Sequence, residues 1–124
     1  MADIQSTISK SCTTLNVREI KPPFLDGVKQ KQTQIDCEGF PFLGGARHAE
    51  FVFGDDSLEM VWIMTSPAEH ASILSAMREA YGEPSIHNAK YDAFLRGRAA
   101  LRVKPAEVLF YSEKVAKGVE KEFR

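Results

Sequence analysis

The chain reads as an α+β domain: a mainly antiparallel, twisted sheet of about six or seven strands, one capped helix over residues 67–81 packed on one face, and a C-terminal helix. Three observations carry that expectation. Two period-two apolar runs flank Gly54-Asp55-Asp56-Ser57, the pattern of a β-hairpin. Ser66-Pro67-Ala68-Glu69 then opens a helix whose apolar residues recur at helical spacing until Gly82 and Pro84 stop it. The remaining connections are too short for crossovers between parallel strands, so neighbours must pair antiparallel.

At 124 residues with 44% hydrophobic and 27% charged side chains, the chain is long and apolar enough to bury a core, and we expect a single domain, 1–124. A net charge of -1 argues against strong general attraction to nucleic acid or anionic lipid. No apolar run reaches the roughly 18 residues that a membrane span requires. No export signal is visible at the start, so the chain is expected in the cytoplasm if complete, and in the periplasm or outside the cell if a signal peptide was removed.

Residues 1–11, polar with sparse Ile4 and Ile8, form a frayed terminus or a short helix. Leu15 and Val17 alternate with Asn16 and Arg18 in a short strand over 13–20, stopped by Lys21-Pro22-Pro23 and turned at Asp26-Gly27, with Phe24 and Leu25 tucked onto the core. Thr33, Ile35 and Cys37 share one parity, giving a strand over 30–38 with a wet face or at an edge, where Lys29 and Lys31 discourage pairing with another chain. Residues 38–45 read as a loop in which Phe40, Phe42 and Leu43 either cover the open end of the core or form an apolar patch for a partner.

Centring the hairpin on Asp55-Asp56 sets Phe53 opposite Leu58, Phe51 opposite Met60 and Ala49 opposite Trp62, with Val52-Glu59, Glu50-Val61 and His48-Ile63 on the wetter face. Ser66 caps the next helix, Pro67 starts it, and His70, Ile73, Leu74, Met77 and Tyr81 form its apolar stripe, which the aromatic and Met side of the hairpin is expected to face. Tyr91 to Arg96 and Ala99 to Lys104 form a second hairpin around Gly97-Arg98, pairing Phe94 with Leu101. Glu107 to Tyr111 is a buried strand, and Ser112 caps a last helix carrying Val115, Val119 and Phe123.

Chemistry has few anchors. His48 and Glu50, two apart on a strand, point to one side as a metal pair or an acid–base pair requires, but no further ligand spacing accompanies them, and we expect no metal or cofactor. Asp55-Asp56 is explained by its turn. Arg96, Arg98, Arg102 and Lys104 gather near Tyr91 in one hairpin, where they suit either an anion-binding surface or a solvated sheet face. Cys12 and Cys37 lack Cys-x-x-Cys spacing; they are two inert thiols, or a bridge that pins the N-terminal segment to the sheet and implies an oxidising compartment.

The unit Ala49-Glu50-Phe51-Val52-Phe53, the Asp-Asp turn, Leu58 to Met64, Ile73 to Pro84 and Val108 to Ser112 resembles small uncharacterised bacterial α+β domains, many of them envelope or secreted proteins. The resemblance covers residues 46–113 and implies a bacterial source, export and a non-enzymatic role in binding or envelope assembly. The expected function is therefore a non-catalytic binding or protein-interaction domain with a protein partner. Its contact surface is Phe40, Phe42, Leu43, His48, Glu50 and Glu59. A small enzyme using His48 and Glu50, and a nucleic-acid or anion binder using the Arg96–Lys104 hairpin, are the alternatives.

Overall fold

The computed structural model describes residues 1–25 and 27–124, and these divide into two compact units, Met1–Ile63 and Met64–Arg124. The described residues contain eight strands, one or two more than expected, and every pairing within a unit is antiparallel. The class is α+β, as the sequence predicts. No helix is long and apolar enough to cross a membrane.

The first unit begins with a helix, α1 (Ala2–Ser9), so the N-terminal segment is helical. Strands β1 (Thr14–Ile20), β2 (Gln32–Phe42), β3 (Gly45–Gly54) and β4 (Ser57–Met64) follow as a meander. Cys37 is fully buried and bonded to Cys12, which ties the segment after α1 to β2. Cys37, Ile35, Ala49, Phe51 and Phe53 share a face and are buried, since residues opposite one another across an antiparallel pair point the same way. The other face carries Arg18, Gln34, Asp36, Glu50, Val52 and Trp62.

Several sequence expectations change here. The stretch 38–45 is no loop: β2 runs on to Phe42, and Leu43-Gly44 at positive φ turns the chain into β3. Glycines and a proline suggested a break, but Gly39 at φ 78° serves a bulge between Cys37 and Phe40, and Pro41 sits near the hairpin tip opposite Ala46. β2 lies between β1 and β3, so Lys29 and Lys31 do not guard an edge; their backbone N–H groups, with that of Gln30, donate to the Asp55 carboxylate at 2.7 to 3.0 Å. Asp55 thus turns the next hairpin and anchors the chain entering β2. Leu25 is buried as expected, whereas Phe24 is 65% exposed: both backbone N–H groups donate to Gln32 Oε1, and only one of two adjacent side chains can point inward. The expected Asp26-Gly27 turn falls partly on Asp26, outside the described residues.

The β3–β4 hairpin has the expected turn, with Asp55 and Asp56 both at positive φ and Phe53 opposite Leu58. Beyond that pair the register differs. Glu59 is an extra residue in β4, so Val52 pairs with Met60, Phe51 with Val61, Glu50 with Trp62 and Ala49 with Ile63. One inserted residue inverts parity. It brings β-branched Val61 and Ile63 to the side of Phe51 and Ala49, and sends Trp62 to the side of Glu50.

In the second unit the Glu69 carboxylate accepts from the Ser66 N–H at 3.2 Å and from its hydroxyl at 3.0 Å, closing the predicted helix start. A 3-10 turn, Pro67–Glu69, leads into α2 (His70–Tyr81), which Gly82 terminates. Strands β5 (Ile86–His87), β6 (Tyr91–Phe94), β7 (Ala99–Arg102) and β8 (Glu107–Tyr111) form a second meander. β5 lies in the polar stretch Ser85-Ile86-His87-Asn88-Ala89-Lys90, which carries no strand periodicity of its own. A 3-10 turn, Leu95–Gly97, lengthens the β6–β7 connection, so Phe94 faces Ala99 and Leu101 faces Asp92; the shift from the expected Phe94–Leu101 pair is by two residues and preserves the faces.

α2 covers the face carrying Asp92 and Phe94, through His70 and through Tyr81, whose ring centroid lies 5.8 Å from that of Phe94. The last helix, α3 (Ala116–Lys121), begins after Val115 rather than at Ser112. Phe123, 1% exposed, packs on Tyr91 and Tyr111 of the opposite face. Burial pushes the Tyr111 phenol upward, as does its O–H donated to Glu120 at 2.8 Å.

Candidate functional site

The outer face of the first unit is closed at one end and open at the other. At the closed end Gln32 is fully buried, and a Cβ on Gly54 would meet the side chains of Val28 at 2.9 Å and Leu25 at 3.5 Å, so these two residues cover the sheet there. At the open end β2 and β3 present Asp36, Glu38, His48 and Glu50, with Arg18 contributed by β1. Asp36 stands directly opposite Glu50.

The ring of His48 is held on both sides. Its Nδ1 is hydrogen-bonded to Glu38 Oε1, and its Nε2 lies 3.0 Å from Glu50 Oε2. Glu38 reaches the ring because it follows Asp36 by two residues on the same face and lies at the level of His48, where the bulge begins. Burial pushes the imidazole pKa down, but hydrogen bonds and charge from Glu50 and Glu38 outweigh it, and the net shift is upward. Asp36 accepts from Arg18 Nε at 2.8 Å and from Gln34 Nε2 at 2.8 Å. Partial burial pushes its carboxyl up, yet those two donors and the guanidinium charge hold it below the usual range. One ligand-type atom each from Asp36, His48 and Glu50 lies within 4.8 Å of the others.

The remaining predicted residues sit elsewhere. Phe40 turns to the opposite face, where its ring packs edge-on against Phe51 at 5.4 Å. Phe42 is half-buried and Leu43 is 49% exposed at the hairpin tip, and Arg47 donates to both their carbonyls. Glu59, expected on the wet face, is the bulge residue of β4; it is buried beside Gly54, about 13 Å along β3 from Glu50. In the basic hairpin Arg102 is engaged by Glu107 at 2.7 Å and by the Pro105 carbonyl at 3.1 Å, while Arg96, Arg98 and Lys104 are exposed.

Sequence reasoning missed Asp36 and Glu38, whose side chains meet His48 only through the β2–β3 register. It also missed Asp92. That carboxylate, 2% exposed, is hydrogen-bonded to His87 Nδ1 and lies 3.5 Å from His70 Nε2, joining two histidines that read as unrelated. The signal available was parity: Asp92 alternates with Tyr91 and Ala93 in a strand that the sequence does mark.

A protein-family model described as an uncharacterised protein matches residues 4–116, nearly the whole of both units. The chain belongs to that family. The match begins within α1 and ends at the start of α3, so it includes Asp36, Glu38, His48, Glu50 and Asp92. No curated protein and no solved structure matches the chain.

Proposed function

We propose that this chain is a non-catalytic binding module of an oxidising compartment such as the bacterial cell envelope, and that it holds a protein partner on the open end of the first unit's outer face. The observation that carries the reading is the placement of His48 between Glu38 and Glu50, with Asp36 beside them, on accessible sheet. Three carboxylates face one guanidinium and one imidazole there, so the surface favours a cationic group, such as a lysine or arginine side chain of the partner. The Cys12–Cys37 bridge supports the compartment.

Immobilised native protein, a Glu38→Gln/Glu50→Gln variant and a Phe42→Ser variant, each exposed to an extract of the source organism, test the surface. Partner retention by the native protein, lost in the carboxylate variant and weakened by salt, is the expected result. Equal retention by all three removes the carboxylates from the interface.

A second reading, a small enzyme, has one specific observation in its favour: buried Asp92 orients His87, whose side chain is 74% exposed, as an orienting carboxylate does for a general base. Turnover of an ester or amide substrate that disappears in His87→Ala supports this reading against the first.

A further inference from the structure

We propose that Asp36, His48 and Glu50 form a zinc-binding site, with Glu38 as its positioning residue; this rests on the reading of the same face as a binding surface and assigns it an inorganic ligand. The three potential donors come from adjacent positions of two paired strands, and one donor atom from each lies within 4.8 Å of the others. A hydrogen-bonded sheet supplies them with little backbone freedom left to lose. Asp36 and Glu50 directly oppose one another, an arrangement of like charges that a divalent cation between them would convert from repulsive to attractive.

The donor set selects the ion. One imidazole and two carboxylates suit zinc, which takes nitrogen and oxygen ligands in tetrahedral sites and keeps a fourth position for water or a partner's side chain. Calcium takes oxygen ligands, usually six or more, and this face offers too few. Glu38 occupies the position that a carboxylate takes behind a metal-ligating histidine: it holds Nδ1, fixing the ring so that Nε2 faces Glu50. Arg18, half exposed and paired with Asp36, is the cation that the metal would displace. A metal held by three protein groups on an accessible face would join this chain to a partner through its remaining position.

Zinc chloride titrated into the tag-free, disulfide-intact protein, followed calorimetrically and by the NMR signals of the histidine rings, tests the site. One ion per chain is expected, with the His48 ring shifted, binding lost in His48→Ala, and affinity about tenfold weaker in Glu38→Gln. Calcium chloride should produce no saturable heat. Absence of saturable zinc binding overturns the proposal, as does full binding by His48→Ala with loss in His87→Ala, which moves the ion to Asp92. Repeating the partner capture with and without chelator separates the two readings. Capture that survives chelation but fails in Glu38→Gln/Glu50→Gln leaves the interaction surface standing without a metal requirement. Zinc binding without any partner retention leaves the metal site and removes the interaction surface.

Discussion

Asp36 and Glu50 face each other directly across β2 and β3, two carboxylates on neighbouring strands, with Arg18 paired to the first and His48 to the second. Like charges so placed cost stability, of order 0.2–1 kcal/mol. Glu50→Gln keeps the shape and an oxygen for His48 while removing one charge. In metal-free buffer, above the pH at which His48 loses its proton, this variant should unfold at a urea midpoint equal to or higher than that of the native protein. A lower midpoint there would show that the pair is not repulsive.

His48 and Asp36 respond to pH with opposite signs. The folded-state pKa of His48 is raised, so its contribution is fully present below the unfolded value of about 6.5 and is lost as pH rises through the folded value. Asp36 is lowered in the folded state; its contribution is present above the unfolded value of about 3.9 and is lost as pH falls through the folded one. Urea midpoints in EDTA should therefore show a His48→Ala penalty that is larger at mildly acidic pH than at alkaline pH. They should also show an Asp36→Asn penalty that disappears in strong acid.

The Cys12–Cys37 bridge closes a separation of 25 residues. In the chain-entropy account a loop of that length stabilises the fold by about 3.5 kcal/mol. Folded protein from its native source should give no thiol signal with an aromatic disulfide reagent until it is reduced, and Cys12→Ser/Cys37→Ser should lower stability by about that amount. Free thiols in the folded native protein would contradict the bridge.

Gly39 adopts φ 78°, and a Cβ there would lie 2.9 Å from the Thr13 methyl group. Gly39→Ala combines a left-handed backbone with a clash, for an expected loss of about 1–3 kcal/mol. Because Glu38 precedes this residue, the His48 ring signals should shift in the same variant. Thr13→Gly added to Gly39→Ala removes the clash and should recover part of the loss, leaving the backbone strain.

What the sequence shows plainly is local chemistry: Asp55-Asp56 for the turn, Ser66 to Glu69 for the helix start, and the apolar run Val108-Leu109-Phe110-Tyr111 for a buried strand. Its errors share a cause. Gly39 and Pro41 read as a break because their usual effect is local, whereas here pairing with β3 carries the strand through them. Glu59 was misplaced because a bulge is invisible to a two-residue period. The candidate site was half legible: His48-x-Glu50 shows in one strand, while Asp36 and Glu38 are assigned to it by a pairing register that no neighbouring residue encodes.

The bulge at Glu38-Gly39 also sets how the β2–β3 hairpin can change length. It places two β2 residues opposite His48, so Phe40 still pairs with Arg47 and shares the face of Cys37; losing Gly39 would restore plain alternation and leave the Phe40 ring against Phe51, whereas losing one residue elsewhere in β2 would exchange faces. Losing one residue from each strand beyond it would shorten the tip and leave every orientation nearer the sheet unchanged. Length variation in this hairpin should therefore come in matched pairs of residues distal to Gly39, or as a lone loss at the bulge itself, which leaves the flanking pairs in place.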